Sequence, residues 1–256
     1  MLVELSILFV AGVLGGVINT VAGGGSFITF PTLMFVGVPP IVANATNTFS
    51  VCAGYLSGAY GFRHDLAECK APIVSTVLWS LLGGAIGAYL LLNTPEHLFI
   101  ESIPWLLMFA TALFMFGDKL ASRLTTLRES SPKATALTSA FFVLLLVSVS
   151  AYGGFFNAGL GIIVLSYLVV SGYSDINQMN GLKLLVSSSV SLIAITIFAL
   201  DGAIDWWRGA VVMLGTLVGG YVAARVSRSM PQHFIRHFVS LSSVAMTGYF
   251  FWDVYA

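Results

Sequence analysis

The chain has 256 residues, 57% of them apolar and 9% charged, and its 11 acidic and 11 basic side chains balance to zero. A soluble domain carries about 25% charged residues, and the mean hydropathy here is +0.93, so the composition excludes an ordinary soluble protein. With no basic excess to neutralise phosphates, it also excludes nucleic acid as a partner. Cys52 and Cys69 are too few for a disulfide scaffold and show no metal-ligand spacing, so they read as bland thiols and no metal or cofactor is expected.

A membrane-spanning helix needs about 20 apolar residues. Such stretches run over 2–22, 26–37, 41–61, 71–92, 103–120, 134–152, 154–172, 177–200, 207–228 and 234–252. The first has Glu4 where a signal peptide would carry basic residues, so residues 1–22 are read as part of the mature fold. It is interrupted at Ala22-Gly23-Gly24-Gly25-Ser26, and the stretch that follows is short. Residues 134–172 are interrupted at Tyr152-Gly153-Gly154 and again near Asn157-Ala158-Gly159-Leu160-Gly161. Glycine runs weaken a helix, and broken backbone survives at membrane depth only under protein or beside a water-filled cavity. Each interrupted stretch is therefore expected to be a broken or re-entrant hairpin that returns to its own side.

Charge sets the sidedness. Residues 118–133 hold Asp118, Lys119, Arg123, Arg128, Glu129 and Lys133, and residues 225–237 hold Arg225, Arg228, Arg236 and two histidines without an acid. Both are expected in the cytoplasm by the positive-inside rule. The acidic segments 93–102 and 201–206 are expected outside, and 62–70 is mixed. Lys70, Arg208, Trp79, Trp105, Trp206, Trp207 and Trp252 read as interfacial anchors. Threaded this way, both termini face out, and residues 1–128 and 129–256 run in opposite senses.

The halves also match in spacing. Gly15-Gly16 with Asn19 resembles Gly153-Gly154 with Asn157, and Asn44-Ala45-Thr46-Asn47 falls against Asn180-Gly181-Leu182-Lys183. Asn44 precedes Asp65 by 21 residues and Gly83 by 39; Asn180 precedes Asp201 and Gly219 by the same intervals. The expected fold is an all-α integral membrane protein of two inverted repeats. Each has about four membrane-embedded elements including one broken hairpin, for 8–10 hydrophobic segments in all. In such designs the site lies at the repeat interface, around the discontinuous helices.

That places the candidate site at Asn19, Gly23, Gly24, Gly25 and Ser26 in one half and at Asn157, Gly159 and Gly161 in the other. A helix N-terminus offers unpaired N–H groups and positive partial charge, and glycines let an anion approach them; the competing reading is close packing through small residues. The amides of Asn19 and Asn157 either touch a substrate or cap the broken backbone. Asn44 and Asn47 share a helix face with Thr48, as Asn180 and Lys183 do with Ser187. Lys183 lies about 12 Å along its helix from Asp175, at about 1.5 Å rise per residue. It either attracts an anion or snorkels to the headgroups. Asp65, with Arg63 and His64 beside it, and Asp201 are candidates for gating or coupling, or else solvated loop charges.

At these residues the chain resembles the TauE/SafE family of anion exporters, often described as sulfite exporters. The resemblance rests on Gly15-Gly16, Asn19 to Ser26, Pro31, Leu33 and Ala43 to Asn47, with Gly153 to Gly161 and Asn180 to Lys183 in the second half. It implies a multi-pass protein of the bacterial cytoplasmic membrane that moves sulfite, a sulfonate or a related sulfur-containing anion. The expected partners are a small anion and membrane lipid, with a homodimer as a possible assembly. No G-x-x-x-x-G-K-[ST] pattern is present, and no nucleophile, acid–base pair or metal cluster is placed for an enzyme. A secondary transporter is therefore the leading expectation, with a passive anion channel and a non-transporting membrane subunit as alternatives.

Overall fold

A computed structural model describes residues 2–21, 23–69, 72–129, 136–226 and 232–255. Ala22, Lys70, Lys133 and Arg228 lie outside the described residues, as do the side chains of Asp118, Lys119, Arg123, Arg128, Glu129, Arg225, His233 and Arg236. Expectations placed on them are therefore left aside.

The described residues form helices and no strand. In chain order these are α1 (Leu2–Val21), α2 (Ser26–Phe35), α3 (Pro40–Gly61), α4 (Arg63–Glu68), α5 (Ile73–Leu92), α6 (Glu96–Glu129), α7 (Ala136–Phe155), α8 (Leu160–Val170), α9 (Ile176–Asp201), α10 (Trp206–Val226) and α11 (Gln232–Tyr255). Local chemistry sets several ends. Pro40 opens α3, where its missing N–H costs nothing. Asp175 caps α9 by accepting from the backbone N–H groups of Asn177 and Gln178 at 2.9 and 3.0 Å. Among the described residues, Leu2–Thr20, Ile73–Leu92 and Ile176–Asp201 belong to helices long and apolar enough to cross a membrane. All five tryptophans are exposed on the outer surface.

Two helix pairs pack backbone to backbone, α1 with α10 and α5 with α7. A Cβ on Gly16 or Gly219 would overlap the main-chain oxygen of Thr216 or Val13, and one on Gly87 or Gly154 that of Ala151 or Gly84. Lipid tails are as apolar as the helices, so close van der Waals contact through small residues supplies much of the association. The remaining packing sets α3 against α9 and α10, α5 against α9, and α6 against α11.

One apolar core gathers Leu8, Leu91, Phe99, Phe198, Ile204 and Phe250, where α1 and α6 begin and α5, α9 and α11 end. A second gathers Leu66, Cys69, Leu168 and Met179, where α8 ends and α9 begins. Near the start of α1, Glu4 pairs with Arg208 at 2.6 Å, and Arg208 also holds Asp205 at 2.8 Å. Burial pushes the Asp205 carboxyl up, but hydrogen bonds from Arg208 and its charge outweigh this and hold it below the usual carboxylate range. At the far end of the chain the Tyr255 hydroxyl accepts from Trp105 Nε1 at 2.9 Å and donates to the Glu101 oxygen at 3.0 Å.

Three expectations need correction. α7 runs unbroken through Tyr152-Gly153-Gly154, so the second interrupted stretch has one break, at 156–159. Gly153 lies under the Leu160 side chain and Gly154 on Gly84, which makes them packing residues in a continuing helix. α6 extends well beyond 103–120, and the mixed-charge segment 62–70 contains the short helix α4.

Candidate functional site

The first break lies between α1 and α2 and the second between α7 and α8. Gly23 at φ +81° and Gly159 at φ +80° turn the chain at these points in a region that L side chains rarely adopt. α2 then starts at Ser26 after Gly25, and α8 at Leu160 after Gly159, neither with a side-chain cap. Nothing in the spacing of the sequence required the two breaks to touch, yet they do. A Cβ placed on Gly23 would stand 3.6 Å from Gly161 Cα, and one on Gly161 would stand 3.2 Å from the Gly23 oxygen and 3.5 Å from Lys183 Cδ.

Around this junction the buried polar residues collect. Asn44 Nδ2 donates to the Phe155 oxygen at 2.8 Å and so ties down the end of α7. Thr29 of α2 donates to Asn47 Oδ1 of α3. Asn157 Oδ1 accepts from the Tyr55 hydroxyl at 3.1 Å, and its Nδ2 reaches Ser191 Oγ at 3.4 Å. Lys183 is 2% exposed, and its Nζ donates to Asn180 Oδ1 at 3.0 Å, one turn back. The ion pairs among the described residues both belong to Arg208, so no carboxylate there neutralises Lys183. Its stem packs beside the junction at Gly161, and its ammonium turns one helical turn back, toward the start of α9.

Several buried polar atoms here have no hydrogen-bond partner: Asn19 Oδ1, Ser26 Oγ, Asn44 Oδ1, Asn47 Nδ2 and Ser187 Oγ. Orphaned polar atoms at membrane depth cost free energy, and these leave unmet hydrogen-bonding capacity around the junction. A cavity of about 630 Å³ reaches Asn19 between α1, α3, α9 and α10.

The structure thus brings together Asn19, Gly23, Ser26, Asn44, Asn47, Asn157, Gly161, Asn180 and Lys183, with Gly24, Gly25 and Gly159 in the two turns. It does not bring in Asp65 or Asp201. Asp201 is the exposed last residue of α9. Asp65 sits in α4, and its neighbour Arg63 turns to the Tyr60 oxygen at 3.2 Å and over the Tyr60 ring instead. Sequence reasoning missed Tyr55, Thr29 and Ser191. The signal for Tyr55 and Ser191 was available, since they are equivalent in the register that sets Asn44 against Asn180.

The family model described as sulfite exporter TauE/SafE matches residues 8–250. The chain belongs to the TauE/SafE family. Among its relatives, a "probable membrane transporter protein" of Haemophilus influenzae is 30% identical over 97% of this chain and 95% of its own length. The "probable membrane transporter protein YfcA" of Escherichia coli K12 is 25% identical over 97% and 90%. One of that description in Bacillus subtilis, YdhB, is 24% identical over 92% and 94%. No solved structure matches. This TauE/SafE member is accordingly a multi-pass membrane protein, and both breaks and every candidate site residue lie inside the matched region.

Proposed function

We propose that this protein is a secondary transporter that exports small anions, sulfite, a sulfonate or a related sulfur-containing anion, by alternating access. The observation that carries the reading is Lys183: a buried lysine with no carboxylate partner among the described residues, its stem packed against the meeting point of two broken helices. Inserting such a cation in a spanning helix costs roughly 2.5–3.5 kcal/mol. A bound anion offsets that cost, and the two helix starts add positive partial charge from their first N–H groups.

The two halves, 1–128 and 129–256, act in this reading as inverted repeats. Helix packing supports it: α1 on α10 is answered by α7 on α5, α3 on α10 by α9 on α5, and α2 on α3 by α8 on α9, while α3 with α9 and α6 with α11 pair across the centre. The cavity reaches Asn19 from the end where α3 and α10 finish. That end carries segment 225–237 and is cytoplasmic by its charge, the side from which an exporter loads. Asp65 and Asp201, at opposite ends of the bundle, are the candidates for gating. In a bacterial cytoplasmic membrane with both termini outside, the potential itself drives an anion outward by about 2.3 kcal/mol per charge per 100 mV.

Purified protein in liposomes tests this. Sulfite or a sulfonate is expected to show saturable flux and counterflow of labelled anion. Non-saturating flux without counterflow would make the protein a channel, and no anion flux at all, across sulfite, sulfate, sulfonates, carboxylates and halides, would favour a non-transporting subunit.

A further inference from the structure

We infer that the seam between α3 and α10 is a hinged jaw. Hydrogen bonds at Thr46, Ser50 and Thr216 form its fixed pivot, and the glycine-lined second half of α3 closes across the cavity onto α10. The inference rests on the alternating-access reading above and names the wall that moves and the contacts that do not.

Polar groups tie the end where both helices begin. Thr46, Ser50 and Thr216 are all buried. Thr46 Oγ1 accepts from the Asp205 backbone N–H at 2.9 Å. The Ser50 hydroxyl lies 2.7 Å from the Thr46 oxygen and 3.0 Å from the Gly209 oxygen, and it can donate to either. The Thr216 hydroxyl reaches the Ser50 oxygen at 2.9 Å. The backbones are close here as well: a Cβ on Gly209 would stand 3.0 Å from Thr46 Cγ2, and Phe49 packs edge-on against Trp206 with ring centroids 5.0 Å apart. Buried hydrogen bonds in a bilayer are costly to give up without replacement, so this end stays joined. The bond from Ser50 back to Thr46 is of a kind that often bends a helix, which puts the flexing point of α3 beside the pivot.

Beyond Ser50 the two helices part. Gly54, Gly58 and Gly61 share one face of α3, and all three line the cavity together with Val218 and Val222 of α10. A Cβ on Gly54 or Gly61 would meet nothing within 4 Å. Gly12, Gly16 and Gly219 at the α1–α10 contact, and Gly83, Gly87 and Gly154 at the α5–α7 contact, all lie against a neighbour's backbone. Such close approach is what small residues allow between helices in a membrane, and the α3 stripe has the shape for it without making it here. Gly58 alone is covered, by Leu184 of α9, so this half of α3 leans away from α10. Asn19 lines the same cavity, 7% exposed and with its Oδ1 unpartnered. The mirrored seam is shut. In the register that sets Asn44 against Asn180, the three glycines fall against Val190, Ala194 and Ile197 of α9. There a Cβ on Gly84 of α5 would stand 3.0 Å from Val190 Cα. One seam is therefore open and its counterpart closed, and that is the difference alternation exchanges.

Cross-linking tests the jaw. Gly54→Cys with Val218→Cys, and Gly61→Cys with Val222→Cys, are made in the full chain with Cys52 and Cys69 replaced by Ala, and oxidised with copper phenanthroline. A disulfide needs Cβ atoms about 3.8 Å apart. No described atom of α10 lies that close to a Cβ on Gly54 or Gly61, so a bridge forms only if the walls close. At least one pair is expected to bridge and to lower flux, read over the anion panel above, about tenfold or more, with recovery on reduction. At the pivot, bridged Thr46→Cys with Gly209→Cys is expected to keep flux within about twofold of its reduced form. Phe49→Cys with Trp206→Cys, joined by a short bifunctional thiol reagent, stands in if Gly209→Cys does not fold. If the oxidant joins neither cavity pair while a longer bifunctional reagent joins both, the walls are fixed and the inference is overturned. A cavity bridge that leaves flux intact, or a pivot bridge that stops it reversibly, overturns it too. Cavity disulfides in a protein that shows no anion flux before oxidation would sink the transporter reading and leave the jaw standing.

Discussion

Lys183 is the residue where charge, burial and position coincide. Its stem passes Gly161, and its ammonium reaches no further than Asn180. Replacing it with Gln keeps a donor and removes the charge. Hydrogen bonds to charged groups contribute about 1.5–3 kcal/mol, so Lys183→Gln is expected to raise the anion Km roughly 10- to 100-fold. Membrane abundance should hold or rise, because a buried unpaired cation is removed. Flux assays beside quantitative blots check this; unchanged Km at normal abundance would remove Lys183 from the site. The asparagines were readable in the sequence as polar groups at apolar depth, but their partners were not. That Asn44 ties the end of α7 while Asn47 ties α2 follows from helix packing across more than a hundred residues in the first case and eighteen in the second.

Among the elements, the broken helices divide the glycines into two kinds that composition cannot separate. Gly154 allows α7 to lie on α5, and its Cβ would overlap the Gly84 oxygen. Gly23 has only ordinary contacts around a Cβ but turns the chain at φ +81°. Gly154→Val is therefore expected to force α5 from α7 and lower the amount of folded protein severalfold. Gly23→Val, in a conformation that costs a β-branched residue about 1–3 kcal/mol, is expected to insert and remain detectable while flux falls at least tenfold. Abundance and flux measured on both variants check the distinction; equal losses of abundance would erase it. The same difference explains why a break was expected at Tyr152-Gly153-Gly154 where α7 continues. A glycine facing a neighbouring helix keeps its own hydrogen bonds, and only the neighbour's presence reveals which kind it is.

At the scale of the molecule, the chain begins beside the connection 202–205, through Glu4 and Arg208, and ends beside the start of α6, through Tyr255 and Glu101. Reporter fusions to either end are expected to be active outside the cytoplasm and silent within it. Termini on opposite sides would overturn the inverted-repeat reading, and both termini in the cytoplasm would overturn the orientation set by charge. The sequence by itself determined that this is a helical membrane protein with two glycine-rich interruptions and recurring residue spacings, because hydropathy, glycine runs and equal spacings are properties of the chain read locally. Only the tertiary structure decided that the interruptions meet, that Lys183 packs on Gly161 with no carboxylate partner among the described residues, and that Tyr55 bonds to Asn157. Those facts depend on which helices cross and how closely, and that is set by surface shape along whole helices and not by any short motif.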